Sequence, residues 1–381
     1  MMVVSMAVPM VFACQIGAAP DPVLSSVGVG PDPMTRVVEV AAMPTLSTLV
    51  DRLVDRQVIF VGEAHDRYED HLNQLAILRG LHARGKDLAI GAEFFQQPFQ
   101  PALDAFIAGD ISEEEMLRRT EYFVRWRFDY RLYRPILRFA RDQGIPIIAL
   151  NLDQELTQKV GQKGIAGLTD EERAQLPGDI DRGDDAYRDR LRAAFEAHSM
   201  LQDRDFEHFL EVQLLWDEGM ASRAAGFLRE HPEKTLVVLA GAGHVEYGHG
   251  IPDRLLRRLP VRAATLINGQ RRELTEGLAD YLLFPQRIEL PRAGLLGVLL
   301  DDVPDKAGVR VSGFADDSGA KDAGIAERDR IVKVGDTLIE DYADIRIALI
   351  DRGPGHLVPV EVIRDRRRGD PERLQFDVTL R

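Results

Sequence analysis

Four short apolar runs, separated by longer amphipathic stretches, place the strongest constraint on how this chain folds. The runs span residues 57–62, 88–92, 146–150 and 236–240, and residues 261–267 provide a fifth candidate. They lack polar alternation, which is typical of strands that are buried on both faces. Helical periodicity between them, as over residues 70–84 and 131–142, predicts helices that cover a sheet. The sequence therefore predicts an α/β fold with a mostly parallel sheet flanked by helices.

Residues 153–230 interrupt this alternation with long, charged helical patterns. This spacing predicts a helical insertion between two strands of the sheet. The insertion either covers the working edge of the sheet or serves as structural padding, and the sequence leaves both interpretations open.

The domain organisation follows from length and from shifts in composition. A chain of 381 residues is long for one core and predicts two domains. Short β-like runs begin after Pro285, so a second, small and β-rich domain is predicted there. The predicted divisions are a signal-like segment over 1–14, a linker over 15–44, an α/β domain over 45–284 and a β-rich domain over 285–381.

Polar side chains follow each predicted strand at its carboxyl end. Gly62-Glu63-Ala64-His65 follows the first run, Glu93 the second, Asn151 and Asp153 the third, and Gly241-Ala242-Gly243-His244 the fourth. Ligands of open α/β sheets bind beyond the carboxyl ends of the strands. The sequence therefore predicts that Glu63, His65, Glu93 and His244 meet at one edge of the sheet.

These side chains suit two kinds of ligand. Imidazole and carboxylate groups bind zinc or manganese, so His65, Glu93 and His244 are candidate ligands of a divalent metal ion. Glu63 and Glu93 are then candidate catalytic carboxylates of a metal-dependent hydrolase. Haem is the other candidate, because Tyr68 lies one helical turn beyond His65 and tyrosine oxygen is a known axial ligand. Tyr68, His65 and His244 are the candidate haem-binding residues, and without a Cys-x-x-Cys-His motif the haem would be non-covalent.

Two further segments carry weaker signals. Gln213, Trp216, Asp217 and Met220 recur at helical spacing, which favours core packing over ligand contact. The aromatic and basic segment 125–128, with Tyr130 and Tyr133, either lines a flat hydrophobic ligand or packs the beginning of a helix.

The N-terminus and the charge balance bear on localisation and partners. The single cysteine, Cys14, ends an apolar run, and Val11-Phe12-Ala13-Cys14 resembles a lipoprotein processing box. This predicts a protein of the cell envelope, either periplasmic or anchored to a membrane by a lipid on Cys14. The alternative is a disordered apolar N-terminus. A net charge of −14 argues against nucleic acid as a partner.

The strand-end motifs resemble those of the ChaN-like haem-binding family, within the Tiki and erythromycin-esterase-like superfamily. The matching segments are 61–65, 91–94, 148–151 and 240–244. The resemblance implies an exported protein of iron uptake that binds haem between the two subunits of a homodimer. It also implies that tyrosine holds the iron with histidine support, and Tyr68 is the best match. Superfamily relatives include metal-dependent proteases and esterases, so a hydrolase stays the alternative.

The C-terminal segment resembles a bacterial PDZ domain. Gly294-Leu295-Leu296-Gly297-Val298 resembles its carboxylate-binding loop and first groove strand, and residues 318–324 and 329–336 match its core pattern. The resemblance implies that Leu295, Leu296, Gly297 and Val298 bind the C-terminus of a peptide or protein partner, which adds a strand to the sheet. The alternatives are a PDZ domain used as a spacer or dimer contact, or a pure scaffold in which the first domain is inert.

Overall fold

The computed structural model describes residues 39–197, 205–270, 272–301, 307–366 and 369–381. Cys14, the segment 1–14 and most of the predicted linker lie outside the described residues. None of the helices in the described ranges combines the length and the apolar character needed to cross a membrane.

Strands and helices alternate through the first part of the chain and again after a run of helices. The first part comprises α1 (Leu46–Leu53), β1 (Val58–Glu63), α2 (Tyr68–Ala83), β2 (Leu88–Gln96), α3 (Gln100–Ala108), α4 (Glu113–Arg119), α5 (Tyr122–Arg125), α6 (Tyr130–Gln143) and β3 (Ile147–Asn151). The predicted insertion contains α7 (Gln154–Lys163), α8 (Asp170–Arg173), α9 (Asp185–Ala197) and α10 (Phe206–Glu230). The sheet resumes with β4 (Thr235–Gly241), α11 (Ile251–Arg258), β5 (Ala263–Asn268) and β6 (Tyr281–Leu283).

These strands form a six-stranded sheet in the order β3-β2-β4-β1-β5-β6. The strand β1 pairs in parallel with both β4 and β5, and β2 pairs in parallel with β4. All residues of β1 and β4 are buried, which explains why their sequences are continuous apolar runs. The predicted α/β fold with a mostly parallel sheet is confirmed.

The register of the sheet brings the ends of β1 and β4 side by side. Gly62 lies opposite Ala240 and Glu63 opposite Gly241. Gly62 must be glycine, because a Cβ there would lie 2.9 Å from both the Cα of Ala242 and the Cγ2 of Ile267. The chain after β4 can therefore cross close over the end of β1, and the residues that follow the two strands come together.

The C-terminal region forms a second sheet, which is antiparallel. Its elements are β7 (Val298–Asp301), β8 (Val309–Phe314), α12 (Gly319–Ala323), β9 (Arg330–Val334), β10 (Thr337–Leu338), α13 (Tyr342–Ala348), β11 (Leu357–Arg364) and β12 (Glu372–Thr379). The order is β12-β11-β9-β8-β7, and β10 pairs with β9. This sheet has its own apolar core, including Val311, Ile331 and Val360. The strand β7 lies at its edge.

Contact density groups the described chain into two compact units. The first contains the described residues up to His65, together with Asn73–Glu93 and Leu150–Pro285. The second contains Asp66–Leu72, Phe94–Ala149 and Gln286–Arg381. The domain boundaries drawn from the sequence stay a prediction.

Candidate functional site

Glu93 lies at the centre of a cluster in the first unit, just past the residues of β2 that pair with β4 and beside the carboxyl ends of β1 and β4. Its Oε2 accepts a hydrogen bond of 2.5 Å from the backbone N–H of Gly241, and its Oε1 lies 3.4 Å from Nε2 of His244. A Cβ on Gly241 would lie 2.9 Å from Cε1 and 3.1 Å from Nε2 of His65. Glycine at this position therefore allows the His65 ring to lie against the strand end, and the structure brings His65, Glu93 and His244 together.

Each histidine of the cluster is held at Nδ1 by a carboxylate. Nδ1 of His65 lies 2.7 Å from Oε1 of Glu63, and Nδ1 of His244 lies 2.6 Å from Oδ1 of Asp217. A carboxylate accepts hydrogen bonds only, so Nδ1 of each ring carries the proton. Each ring consequently presents Nε2 toward the centre formed by Gly241 and Glu93.

The burial of the cluster differs between acids and imidazoles. Glu63, Glu93 and Asp217 are buried, whereas the side chains of His65 and His244 keep 11% and 14% of their surface exposed. The imidazoles are therefore the groups that a ligand entering from solvent can reach first.

The charges of Glu93 and His244 stabilise each other strongly. Burial disfavours the charged imidazole, but Asp217 and Glu93 outweigh it and raise the pKa of His244 to about 10. Burial also disfavours the Glu93 carboxylate, but His244, His65 and the N–H of Gly241 lower the pKa of Glu93 to about 2. Near neutral pH the centre is therefore an imidazolium beside a carboxylate.

The pKa of His65 is raised, like that of His244. Burial lowers its pKa, but the charges of Glu63 and Glu93 and the hydrogen bond to Glu63 outweigh burial, and the pKa lies above the ordinary value. The charge of His244 opposes this rise.

The predicted metal site is not supported. Among the described residues, no group of three or more His, Cys, Asp or Glu side chains could hold a metal ion. Zinc and manganese need ligand atoms about 2 Å from one common point. The two oxygens of Glu93 instead contact the N–H of Gly241 and Nε2 of His244.

Tyr68, the candidate haem ligand, is the first residue of α2 and is half-buried. It belongs to the second unit, where His71 is buried with its ring 4.3 Å from that of Tyr133. The same unit holds an aromatic cluster of Phe94, Trp126, Phe128 and Tyr133, with ring centroids 4.4–6.3 Å apart. Tyr133 packs in the core, whereas Trp126 and Phe128 are half-buried and present aromatic surface.

The remaining sequence candidates divide into structural residues and site residues. Asn151 donates from Nδ2 to the backbone oxygen of Glu93 (3.1 Å), and Asp153 caps α7. Met220 packs in the core, as its spacing predicts. Trp216 packs against an apolar cluster that includes Leu215, and its ring also lies edge-on to that of His244 at 6.2 Å. Asp217 is buried too, but it also bonds Nδ1 of His244, a role that its spacing does not indicate.

Sequence reasoning missed one residue of the cluster entirely. Tyr187, in α9 of the insertion, is buried and donates a hydrogen bond of 2.6 Å from its hydroxyl to Oδ2 of Asp217. Nothing in its local sequence distinguishes it from a core tyrosine. The signal that could have found it is the buried carboxylate of Asp217, which needs a second donor.

The loop before β7 has the features of an anion-binding turn. Within the described chain, the backbone N–H groups of Leu296 and Gly297 donate to no backbone or side-chain acceptor. Gly297 has a φ of +76°, and a Cβ there would lie 2.6 Å from the Cα of Ser318. Leu295 is exposed, and Val298 begins the edge strand β7.

Comparison with known families shows which family the chain belongs to. A family model described as haem-binding uptake, Tiki superfamily, ChaN matches residues 49–255, which is more than half of the chain. The chain belongs to this ChaN family. Membership confirms the resemblance seen in the strand-end motifs and supports haem binding. The matched range contains Tyr68 and the whole His65–Glu93–His244 cluster.

Individual relatives are more distant. Protein RETICULATA-RELATED 5, chloroplastic, of Arabidopsis thaliana is 24% identical over 264 residues, which is 61% of this chain and 35% of that protein. The chain thus spans about a third of this curated relative. The structure titled "Cofacial heme binding to ChaN of Campylobacter jejuni" aligns with 62% of this chain and 91% of that one, at 16% identity and a TM-score of 0.51. The erythromycin esterase EreC structure covers 61% and 76%, at 12% identity and a TM-score of 0.36.

Proposed function

We propose that this chain binds haem non-covalently and that the Tyr68 oxygen would hold the iron. The observation that carries the proposal is the family match over residues 49–255. Tyrosine oxygen is a ligand suited to ferric haem iron, and bound haem would supply iron-centred redox and ligand-exchange chemistry.

The residues of the second unit fit such a ligand. Haem needs an oxygen or nitrogen donor beside aromatic or aliphatic surface that covers the porphyrin face. Tyr68 is half-buried and keeps part of its surface accessible, and Trp126 and Phe128 present aromatic surface in the same unit. Arg127 is exposed beside them and supplies a positive charge that suits propionates.

Titration with hemin, followed through the Soret band, tests this proposal. We expect binding by the full chain and a loss of at least about tenfold in affinity for Tyr68→Phe, because the phenylalanine ring lacks the ligand oxygen. Tyr281→Phe, which alters a half-buried tyrosine of β6, is the matched control and should bind like the parent protein. Equal binding by Tyr68→Phe would refute Tyr68 as the ligand, and an absent Soret shift would refute haem binding.

A second candidate, acid–base hydrolysis of an ester, is favoured by the Nδ1 anchoring of both histidines. In this scheme a water molecule attacks the ester carbonyl carbon and gives its proton to Nε2 of neutral His65. The Nε2 proton of His244 passes to the leaving alkoxide oxygen. Glu93 stabilises the charge on both rings, and no metal ion takes part.

An unactivated ethyl ester, followed by pH-stat, tests the second candidate. Glu93→Gln should lower kcat by about 100-fold or more, because the charge that supports both imidazoles is lost. Glu233→Gln, at an exposed glutamate, is the matched control. The rate should persist in EDTA, fall at low pH as His65 is protonated, and fall above about pH 10 as His244 loses its proton. Loss of the rate in EDTA would contradict the scheme.

We also propose that the C-terminal sheet binds the C-terminus of a peptide, as a PDZ domain does. The support is an edge strand, β7, beside the N–H groups of Leu296 and Gly297 that have no acceptor in the described chain. A peptide can add a strand to such an edge while its carboxylate accepts from these groups. Anisotropy with a labelled peptide and its C-terminally amidated twin tests this, and equal affinity for the two would refute it.

The cellular setting is part of the same proposal. The protein would serve iron uptake in the cell envelope, held to a membrane by a lipid on Cys14 and forming a homodimer around haem. Cys14→Ala should move the protein from the membrane fraction to the soluble fraction. Light scattering with and without hemin tests the dimer, and a monomer under both conditions would refute it.

A further inference from the structure

We propose that Tyr187 is a positioning residue that, through Asp217, fixes which nitrogen of His244 keeps its proton. The hydroxyl of Tyr187 donates to Oδ2 of Asp217 at 2.6 Å, and Oδ1 of Asp217 lies 2.6 Å from Nδ1 of His244. The chain of bonds runs from α9 through α10 to the loop after β4. The inference rests on the proposed role of the His65–Glu93–His244 cluster and deepens it.

The protonation states of Tyr187 and Asp217 determine which atom donates in each of the two hydrogen bonds. Burial and the charge of Asp217 raise the pKa of Tyr187 well above its ordinary value, so its hydroxyl keeps its proton and must be a donor. One oxygen of Asp217 is thereby occupied, and the carboxylate cannot rotate without breaking this bond. Its other oxygen stays directed at Nδ1 of His244, so the proton that leaves His244 is the one on Nε2.

Two cations hold Tyr187 in this orientation. The guanidinium carbons of Arg254 and Arg190 lie 4.4 Å and 5.6 Å from the centroid of its ring. A cation over an aromatic ring is attracted by it and polarises the phenol, which strengthens the hydroxyl as a donor. Arg190 also donates from Nη1 to the backbone oxygen of Gly243 (3.1 Å), so the same side chain fixes the loop that carries His244.

The charged surroundings of His244 come from several elements. Asp217 lies on α10, Glu93 on β2 and Arg190 on α9, and His65 follows β1. Glu93 lies beside Nε2 of His244, and among the described residues Asp217 is the one carboxylate that contacts its Nδ1. Loss of the Tyr187 hydroxyl should therefore weaken the hydrogen bond at Nδ1 of His244 and leave the contact of Nε2 with Glu93 in place. The helical insertion thus contributes to the chemistry of the site and is more than structural padding.

Nitrogen chemical shifts of the histidine rings, measured as a function of pH on the full chain, test this inference. The His244 signal is assigned by its loss in His244→Gln. In the parent protein, neutral His244 should be the Nδ1–H tautomer. In Tyr187→Phe the tautomer should become mixed, and the titration midpoint should fall by about one unit or more, because Asp217 is no longer held.

The matched control is Tyr130→Phe, which removes a buried tyrosine hydroxyl that donates to Glu113 at 2.8 Å. This variant should leave the tautomer and the midpoint of His244 unchanged. Asp217→Asn is the second variant, and it should lower the midpoint further than Tyr187→Phe. An unchanged tautomer and midpoint in folded Tyr187→Phe would overturn the inference, as would an equal shift in Tyr130→Phe. The measurement needs neither haem nor substrate. Its result can therefore be interpreted even if the protein neither binds haem nor hydrolyses an ester.

Discussion

The ion pair of His244 predicts a steep loss of stability in alkali. The pKa of His244 is about 10 in the folded chain and 6.5 for the ordinary side chain. A pKa raised by folding stabilises the protein fully below pH 6.5, and this contribution is lost as pH rises through 10. The difference of 3.5 units, at about 1.36 kcal/mol per unit, corresponds to about 5 kcal/mol in the free energy of unfolding.

The assay is urea unfolding at fixed pH values between 6 and about 10.5, for the parent protein and for His244→Gln. The difference in unfolding free energy between the two proteins should shrink by several kcal/mol across this range. His231→Gln is the control, because His231 is only half-buried and lies 3.7 Å from the exposed Glu233. A difference that stays constant with pH would refute the reasoning, because it would mean that His244 is not held as an imidazolium in the folded protein.

Three further substitutions test separate parts of the account. Gly241→Ala should displace the His65 ring, whose Cε1 lies 2.9 Å from the new Cβ, and should cost about 1–3 kcal/mol of stability, measured by urea unfolding. Gly297→Ala should weaken binding of a free C-terminal peptide about tenfold or more, measured by anisotropy, because its φ is +76° and Ser318 leaves no room. Glu113→Gln should lower the melting temperature by several degrees, measured by calorimetry, because Glu113 accepts bonds from Tyr130, Arg134 and Arg138.

The sheet could be predicted from the sequence because its strands are buried on both faces. Residues 57–62 and 236–240 are continuous apolar runs, and they became β1 and β4 within one residue at each end. The polar residues after these strands could be placed at one edge for the same reason, since parallel strands end on the same side. The positions of Glu63, His65 and His244 follow from this pattern, whereas Glu93, which the sequence predicts to follow its strand, lies within β2 because that strand continues to Gln96.

The supports of the site could not be predicted in the same way. Asp217 and Tyr187 lie in helices of the insertion, and their spacing is equally typical of core packing. Which helical face meets His244 depends on how α9 and α10 pack, and periodicity does not determine this. The metal-site prediction is not supported for a related reason. The sequence predicts that side chains able to bind a metal lie near each other. It does not predict that the two oxygens of Glu93 contact the N–H of Gly241 and Nε2 of His244.

Glu93 joins His65 and His244 into one site, so the titration midpoints of both histidines should change in Glu93→Gln. The carboxylate raises the pKa of both rings. We expect both midpoints, followed by ring nitrogen chemical shifts, to fall relative to the parent protein. A fall for His244 with no change for His65, or no change for either ring, would contradict the claim.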